Sequence, residues 1–94
     1  MIISLDLSRH CIETAARLKR EDLVRRCLKS PAPEEEAQLD YLTPFLEQAD
    51  FPALRSRINA QVPHARQATL IFNQSPRRLQ IHVNDRIILP VWQA

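Results

Sequence analysis

The chain contains no glycine among its 94 residues, whereas average usage of about 7% would supply about six or seven. Glycine adopts left-handed backbone conformations without steric cost, so every turn in this protein must be closed by other residues. Seven prolines, together with Asn, Asp and Ser, are the turn formers that the sequence offers. The composition therefore restricts both the fold and the range of functional sites.

The absence of glycine excludes several well-known binding and catalytic motifs. A phosphate-binding P-loop and a dinucleotide-binding fingerprint both need glycine where the backbone approaches phosphate. The nucleophile elbow of α/β-hydrolases needs glycine on either side of its serine. We therefore expect no site of these three kinds, and no other feature of the sequence indicates a cofactor.

Length and composition predict one small globular domain covering residues 1–94. Apolar residues make up 45% and charged residues 26%, as in ordinary globular proteins. The longest uncharged run, residues 67–76, is too short for a membrane-spanning helix. The N-terminus lacks the basic segment of a secretion signal, so we expect a cytoplasmic protein with no membrane contact.

The first part of the chain, residues 1–30, predicts a strand followed by a basic helix. Residues 2–7 alternate between apolar and polar side chains, which is typical of a strand. Ser8 is a candidate cap for a helix over residues 8–29. The apolar stripe of that helix jumps by roughly 140° after Leu18, so either the helix kinks near residue 20 or it contacts different partners along its length.

The central part, residues 34–60, predicts an acidic helix and a second helix after it. Glu34, Glu35 and Glu36 place negative charge in a first helical turn, where the helix dipole favours it. Pro44 should kink this helix or restart it with Thr43 as the cap. Asp50 precedes a proline and predicts the start of the next helix.

The last part, residues 66–94, has the two-residue period of strands. Segments 69–73, 79–83 and 87–92 predict a three-stranded antiparallel meander. The first turn should place Phe72 opposite Leu79. The second turn, at Asn84-Asp85, leaves two registers open. A two-residue loop would put Ile88, Pro90 and Trp92 on the face of Ile81, and a three-residue loop would put Ile87, Leu89 and Val91 there.

These elements predict a single α+β domain with the order β-α-α-α-β-β-β and three to four helical segments. The first strand should join the meander in a four-stranded sheet that helices cover on one face. A domain of this size has little room for a catalytic pocket, and we therefore expect a protein that is not an enzyme.

The thiols and imidazoles of the sequence form no recognisable site. Cys11 and Cys27 lie at apolar helical positions, which predicts two reduced, buried thiols rather than a nucleophile. The three histidines, His10, His64 and His82, lack the spacing of metal ligands. No metal, cofactor or small-molecule substrate is therefore expected.

Charge is strongly segregated along the chain, although the formal total is only +2. Residues 1–30 carry a net charge of +3, residues 31–50 of −6, and residues 51–94 of +5. Segregated charge favours oriented association. The last predicted strand is apolar on both faces, and helices cover only one. We therefore expect a non-catalytic protein-interaction module, homo-oligomeric or partner-binding, with contact residues Ile71, Ile88 and Trp92.

Nucleic-acid binding is the alternative, since 11 of the 13 basic residues are arginine. The candidate phosphate contacts are a group on the first helix and a pair at the tip of the first hairpin: Arg25, Arg26, Lys29, Arg77 and Arg78. Aromatic residues make up only 5% of the chain, and the isoelectric point is 8.8, so the sequence favours this alternative less.

Overall fold

The secondary structure follows the predicted order of one strand, three helices and three strands. A computed structural model describes residues 1–74 and 77–88. The elements are β1 (Ile2–Asp6), α1 (Ile12–Lys29), α2 (Pro33–Gln48), α3 (Phe51–Gln61), β2 (Gln67–Gln74), β3 (Arg77–Val83) and β4 (Arg86–Ile88). The α+β class and the topology β-α-α-α-β-β-β are thereby confirmed.

The four strands form one antiparallel sheet with the order β1-β2-β3-β4. β1 joins the meander in one sheet, as the sequence predicts, and Ile3 lies opposite Leu70. β2 and β3 pair in the predicted register, which places Phe72 opposite Leu79. Their pairing continues to Gln74 and Arg77, so both strands are longer than the sequence pattern indicates.

The turn between β3 and β4 settles the register that the sequence leaves open. Val83 pairs with Arg86 across the two-residue loop Asn84-Asp85, and Ile81 pairs with Ile88. Asn84 has φ of 52° and is the one residue of positive φ in the described ranges. Asparagine tolerates this left-handed conformation better than most residues, so it takes the place that glycine would hold elsewhere.

α1 begins later than expected and is not broken. The Asp6 carboxylate accepts hydrogen bonds from the backbone N–H of Ser8 at 2.8 Å and from its hydroxyl at 2.6 Å. Ser8 is therefore held in a turn and does not cap the helix, which starts at Ile12. The helix continues to Lys29, and its divided apolar stripe leaves Leu28 81% exposed.

α2 continues through Pro44 and does not restart there. The hydroxyl of Thr43 accepts a hydrogen bond from Nε of Arg20 at 3.0 Å and so connects α2 to α1. The predicted cap of α3 is confirmed, because the Asp50 carboxylate accepts from the backbone N–H of Ala53 at 3.2 Å.

The core lies between the helices and one face of the sheet, here called the inner face. Alternate strand residues supply that face, and the Phe45 ring lies edge-on to Phe51 and Phe72, with centroids 5.5 and 6.4 Å away. The buried strand residues are Ile3, Leu5, Ala68, Leu70, Phe72, Ile81, Val83 and Ile88. The opposite face of the sheet is here called the outer face. Its described side chains include those of Ile2, Ser4, Asp6, Thr69, Ile71, Gln80, His82 and Ile87.

Candidate functional site

A cleft of about 610 Å³ opens at the end of the sheet where β1 leads into α1. Three segments enclose it: the β1–α1 connection, one side of α3, and the α3–β2 connection. Its lining residues are Leu7, Ser8, His10, Cys11, Ile12, Arg55, Ile58, Asn59, Pro63, His64, Ala65 and Arg66. The cleft, which we call the basic cleft, falls within the usual size range of ligand-binding sites.

Backbone hydrogen bonds fix the two connections that enclose the basic cleft. The N–H of Leu7 donates to the carbonyl of Arg66 at 2.9 Å, which ties the β1–α1 connection to the start of β2. The Asn84 side-chain oxygen accepts from the N–H of Arg66 at 3.1 Å, and the Asn84 backbone N–H donates to the carbonyl of Gln67 at 2.9 Å. Asn84, in the β3–β4 turn, thus holds the backbone of the lining residue Arg66 in place.

Cys11 lies at the N-terminal end of α1 and is exposed, so the predicted burial of this thiol is wrong. The Asp6–Ser8 turn delays the helix, and Cys11 becomes the residue before its first turn rather than part of its apolar stripe. Cys27 is half-buried, and both cysteines are free.

The environment of Cys11 favours its thiolate. The Thr14 hydroxyl lies 3.4 Å from the sulfur, and this hydrogen bond is the main cause that lowers the pKa of the Cys11 thiol. The backbone N–H of Thr14 lowers the pKa further, desolvation raises it, and the Arg55 guanidinium lowers it by less than desolvation raises it.

The lining of the basic cleft has one sign of charge. Arg55 and Arg66 contribute two guanidinium groups, and His10 and His64 contribute two imidazoles. The lining contains no carboxylate. Across the described ranges, no group of three or more His, Cys, Asp and Glu residues could hold a metal ion. The side chains of the lining can therefore donate hydrogen bonds and provide positive charge.

The predicted interaction residues do not share a surface. Ile88 is buried against Ile81 on the inner face, so its predicted exposure beside Ile71 is wrong. Ile71 is half-buried on the outer face, and Trp92 lies outside the described residues. The two-residue turn at Asn84-Asp85 is the physical reason, because it directs the side chain of Ile88 inward and that of Ile87 outward.

The exposed isoleucines of the sheet lie on the outer face. Ile2 is 60% exposed and lies opposite Ile71, whereas Ile87 is 61% exposed and lies opposite His82. Ser4 and Gln80 on the same face are also exposed. The described residues therefore leave this face open to solvent.

The residues of the nucleic-acid alternative are only partly described. Arg25, Arg26 and Lys29 are exposed on α1, and the carboxylate of Asp22 lies 3.1 Å from Arg26 and 3.9 Å from Arg25. Asp22 partly neutralises this group. Arg77 and Arg78 belong to β3, and their side chains lie outside the described residues.

The acidic and basic helices do not neutralise each other by direct pairing. Among the described side chains, the ion pairs are Glu13–Arg17, Asp22–Arg25 and Asp22–Arg26, all within α1. The exposed carboxylates of α2, at Glu34, Glu36, Asp40 and Glu47, and the exposed arginines of α3 form none of these ion pairs. No helix of the described ranges combines the length and apolarity that crossing a bilayer requires.

Sequence reasoning missed the basic cleft because its residues come from separate segments. Two signals were present: the Asp-x-Ser spacing of Asp6 and Ser8, which is typical of a side-chain turn, and Pro63 after α3. Neither signal reveals that Arg55 and Cys11 come together.

The sequence was compared with protein families, with curated proteins and with solved structures. An uncharacterized protein of Archaeoglobus fulgidus is 43% identical over 61 residues, which is 61% of this chain and 72% of the relative. No solved structure matches. One protein-family model matches residues 1–83, from β1 into the end of β3. That match covers most of the chain, and the protein belongs to this family.

Proposed function

We propose that the protein is a non-catalytic interaction module that associates with a second copy of itself through the outer face of its sheet. The observation that carries the proposal is the exposure of Ile2 and Ile87 on one open sheet face, with Ile71 beside Ile2. Ile2 and Ile87 lie on the two edge strands of this face, and contact with another molecule would remove both side chains from water.

A second copy is the partner that the charge distribution favours. Among the outer-face side chains that the structure describes, Asp6 is the one with a formal charge, so this part of two outer faces meets with little like-charge repulsion. Elsewhere α2 carries five acidic and no basic residues, whereas α3 carries two basic and no acidic ones. Opposite signs on one molecule orient two copies as they approach.

The size of the outer face predicts a weak complex. Four strands and the length of β2 give a face of about 20 by 25 Å, or roughly 500 Å². Stable interfaces bury about 800 Å² per partner, so association through this face should depend on protein concentration. The free thiols support a reducing, cytoplasmic location for such a module.

The test is the mass in solution, measured by sedimentation over the micromolar to millimolar range. We expect the wild type to shift towards dimer as its concentration rises, and Ile2→Ser with Ile87→Ser to remain monomeric. Leu28→Ser is the matched control, because Leu28 is 81% exposed on α1 and away from the sheet. It should associate like the wild type.

Three results would overturn the proposal. The first is a wild type that stays monomeric throughout the range. The second is a double variant that dimerises like Leu28→Ser. The third is association only with added nucleic acid, weakening steeply with salt, which would favour the Arg25, Arg26 and Lys29 alternative.

A further inference from the structure

We propose that the basic cleft binds a phosphate group, either free or carried by a small molecule, with Arg55 and Arg66 as its ionic partners. This site is separate from the outer face of the sheet, so its test does not depend on self-association. The cleft has the positive charge, the size and the fixed backbone that binding a phosphate requires.

The two arginines are free to bind an external anion. Neither takes part in an ion pair with another described residue, and both are exposed at the cleft. A guanidinium donates two parallel hydrogen bonds to a phosphate, and such charge-assisted bonds are stronger than neutral ones. No lining residue carries a carboxylate, and the Asp6 carboxylate next to the lining accepts two hydrogen bonds from Ser8.

Further donors line the same cleft. Asn59, His10 and His64 line the cleft and carry amide and imidazole groups that can donate, whereas the Ser8 hydroxyl already donates to Asp6. The N-terminal end of α1 also borders it through Cys11 and Ile12, and the positive end of a helix dipole favours an anion. One end of the cleft therefore adds to the positive potential of the arginines.

The volume of the cleft indicates the kind of ligand. A phosphate group alone fills a small part of about 610 Å³, which leaves room for the organic part of a small phosphorylated molecule. The lining also includes Leu7, Ile12 and Ile58, and these apolar side chains offer a surface for such a group. The phosphate provides the charge that the arginines recognise.

The cleft is held in shape before any ligand arrives. Asn84 fixes the backbone of Arg66, and its side-chain N–H lies 3.5 Å from the carbonyl of His64. Leu7 is tied to Arg66 by a backbone hydrogen bond. A site fixed in this way loses little conformational entropy on binding.

Alkylation of Cys11 can measure occupancy, because this exposed cysteine lines the cleft. In a Cys27→Ser background, the rate at which iodoacetamide alkylates Cys11 is measured against increasing inorganic phosphate, and separately against adenosine monophosphate. We expect both to slow alkylation in a saturable way at constant ionic strength. Tighter protection by the monophosphate would identify a ligand with an organic part.

Charge-removing variants locate the binding site. Arg55→Gln and Arg66→Gln should each raise the ligand concentration for half-protection by about tenfold or more. Arg57→Gln is the matched control, since Arg57 is exposed on the same helix and does not line the cleft. Its half-protection concentration should match that of the parent protein.

The proposal fails if neither ligand slows alkylation, or if Arg57→Gln weakens protection as much as the other two variants. Protection only by a long oligonucleotide would also overturn it, since the cleft then serves a nucleic acid and not a small phosphate. Far-ultraviolet circular dichroism of each variant checks that its helices are intact.

Discussion

The inner and outer faces of the sheet differ although the same strands supply both. On the inner face, Ile3 and Ile88 are at most 1% exposed and lie against the helices. On the outer face, their chain neighbours Ile2 and Ile87 are 60% and 61% exposed. The side-chain type is identical, so the contrast isolates the effect of position on the strand.

The comparison teaches that hydrophobicity alone does not assign a residue to the core. Successive strand residues point to opposite faces, and a shift of register by one residue exchanges the two sets. In β4 the assignment depends on the two-residue turn at Asn84-Asp85. In a strand that is apolar at every position, the preceding turn therefore decides which residues point into the core.

The largest effect should come from truncating the two neighbouring isoleucines of β4. Ile88→Ala should lower the free energy of unfolding by about 2–5 kcal/mol, because it removes buried surface and leaves a cavity. Ile87→Ala should change it by less than about 1 kcal/mol, since that side chain remains largely in water. Urea denaturation measures both. Equal losses would mean that the two faces are not distinct.

An intermediate effect should come from Asn84, which sets the register that separates the faces. Asn84→Ala should cost about 2–3 kcal/mol, since alanine disfavours positive φ and cannot accept from the N–H of Arg66. Asn84→Gly relieves the backbone but loses the same hydrogen bond, so it should cost about 1 kcal/mol. Urea midpoints compare them. A larger loss for glycine than for alanine would contradict a left-handed turn.

The smallest effect concerns Asp6, at the end of the outer face. Hydrogen bonds from the Ser8 side chain and then its backbone N–H lower the pKa of the Asp6 carboxyl below the usual 3.8. Because the folded pKa is the lower one, this contribution is complete above pH 3.8 and is lost as pH falls through the folded pKa. Asp6→Asn should therefore weaken the acid dependence of the melting temperature.

The control for this measurement is Asp85→Asn, which changes a carboxyl in the exposed β3–β4 turn. It should leave the acid dependence closer to that of the wild type than Asp6→Asn does. The same profile for Asp6→Asn and the wild type would show that Ser8 does not stabilise the carboxylate.

Much of the fold could be predicted because the relevant signals are local. The cap at Asp50, the alternation of residues 2–6 and the pairing of Phe72 with Leu79 each depend on residues close in sequence. The start of α1 was predicted wrongly, since Ser8 was assigned as a helix cap. Its side chain instead joins the turn at Asp6, and the two uses of one hydroxyl compete.

The candidate sites were much less predictable than the fold. The basic cleft joins Cys11, Arg55 and Arg66 from three segments, and no spacing in the sequence relates them. The exposure of Cys11 follows from the late start of α1, which removes that residue from the helical stripe. Interaction residue Ile88 was assigned to the wrong surface because both registers of the last turn were open.

The sequence by itself determined the order of strands and helices, because propensity, capping and period act over a few residues. It also required a turn residue other than glycine, and asparagine fills that position at Asn84. Only the tertiary structure decided which apolar residues of α1 and β4 are buried, and which arginines line the basic cleft. Those outcomes depend on contacts between distant segments, and such contacts form only once the helices pack on the sheet.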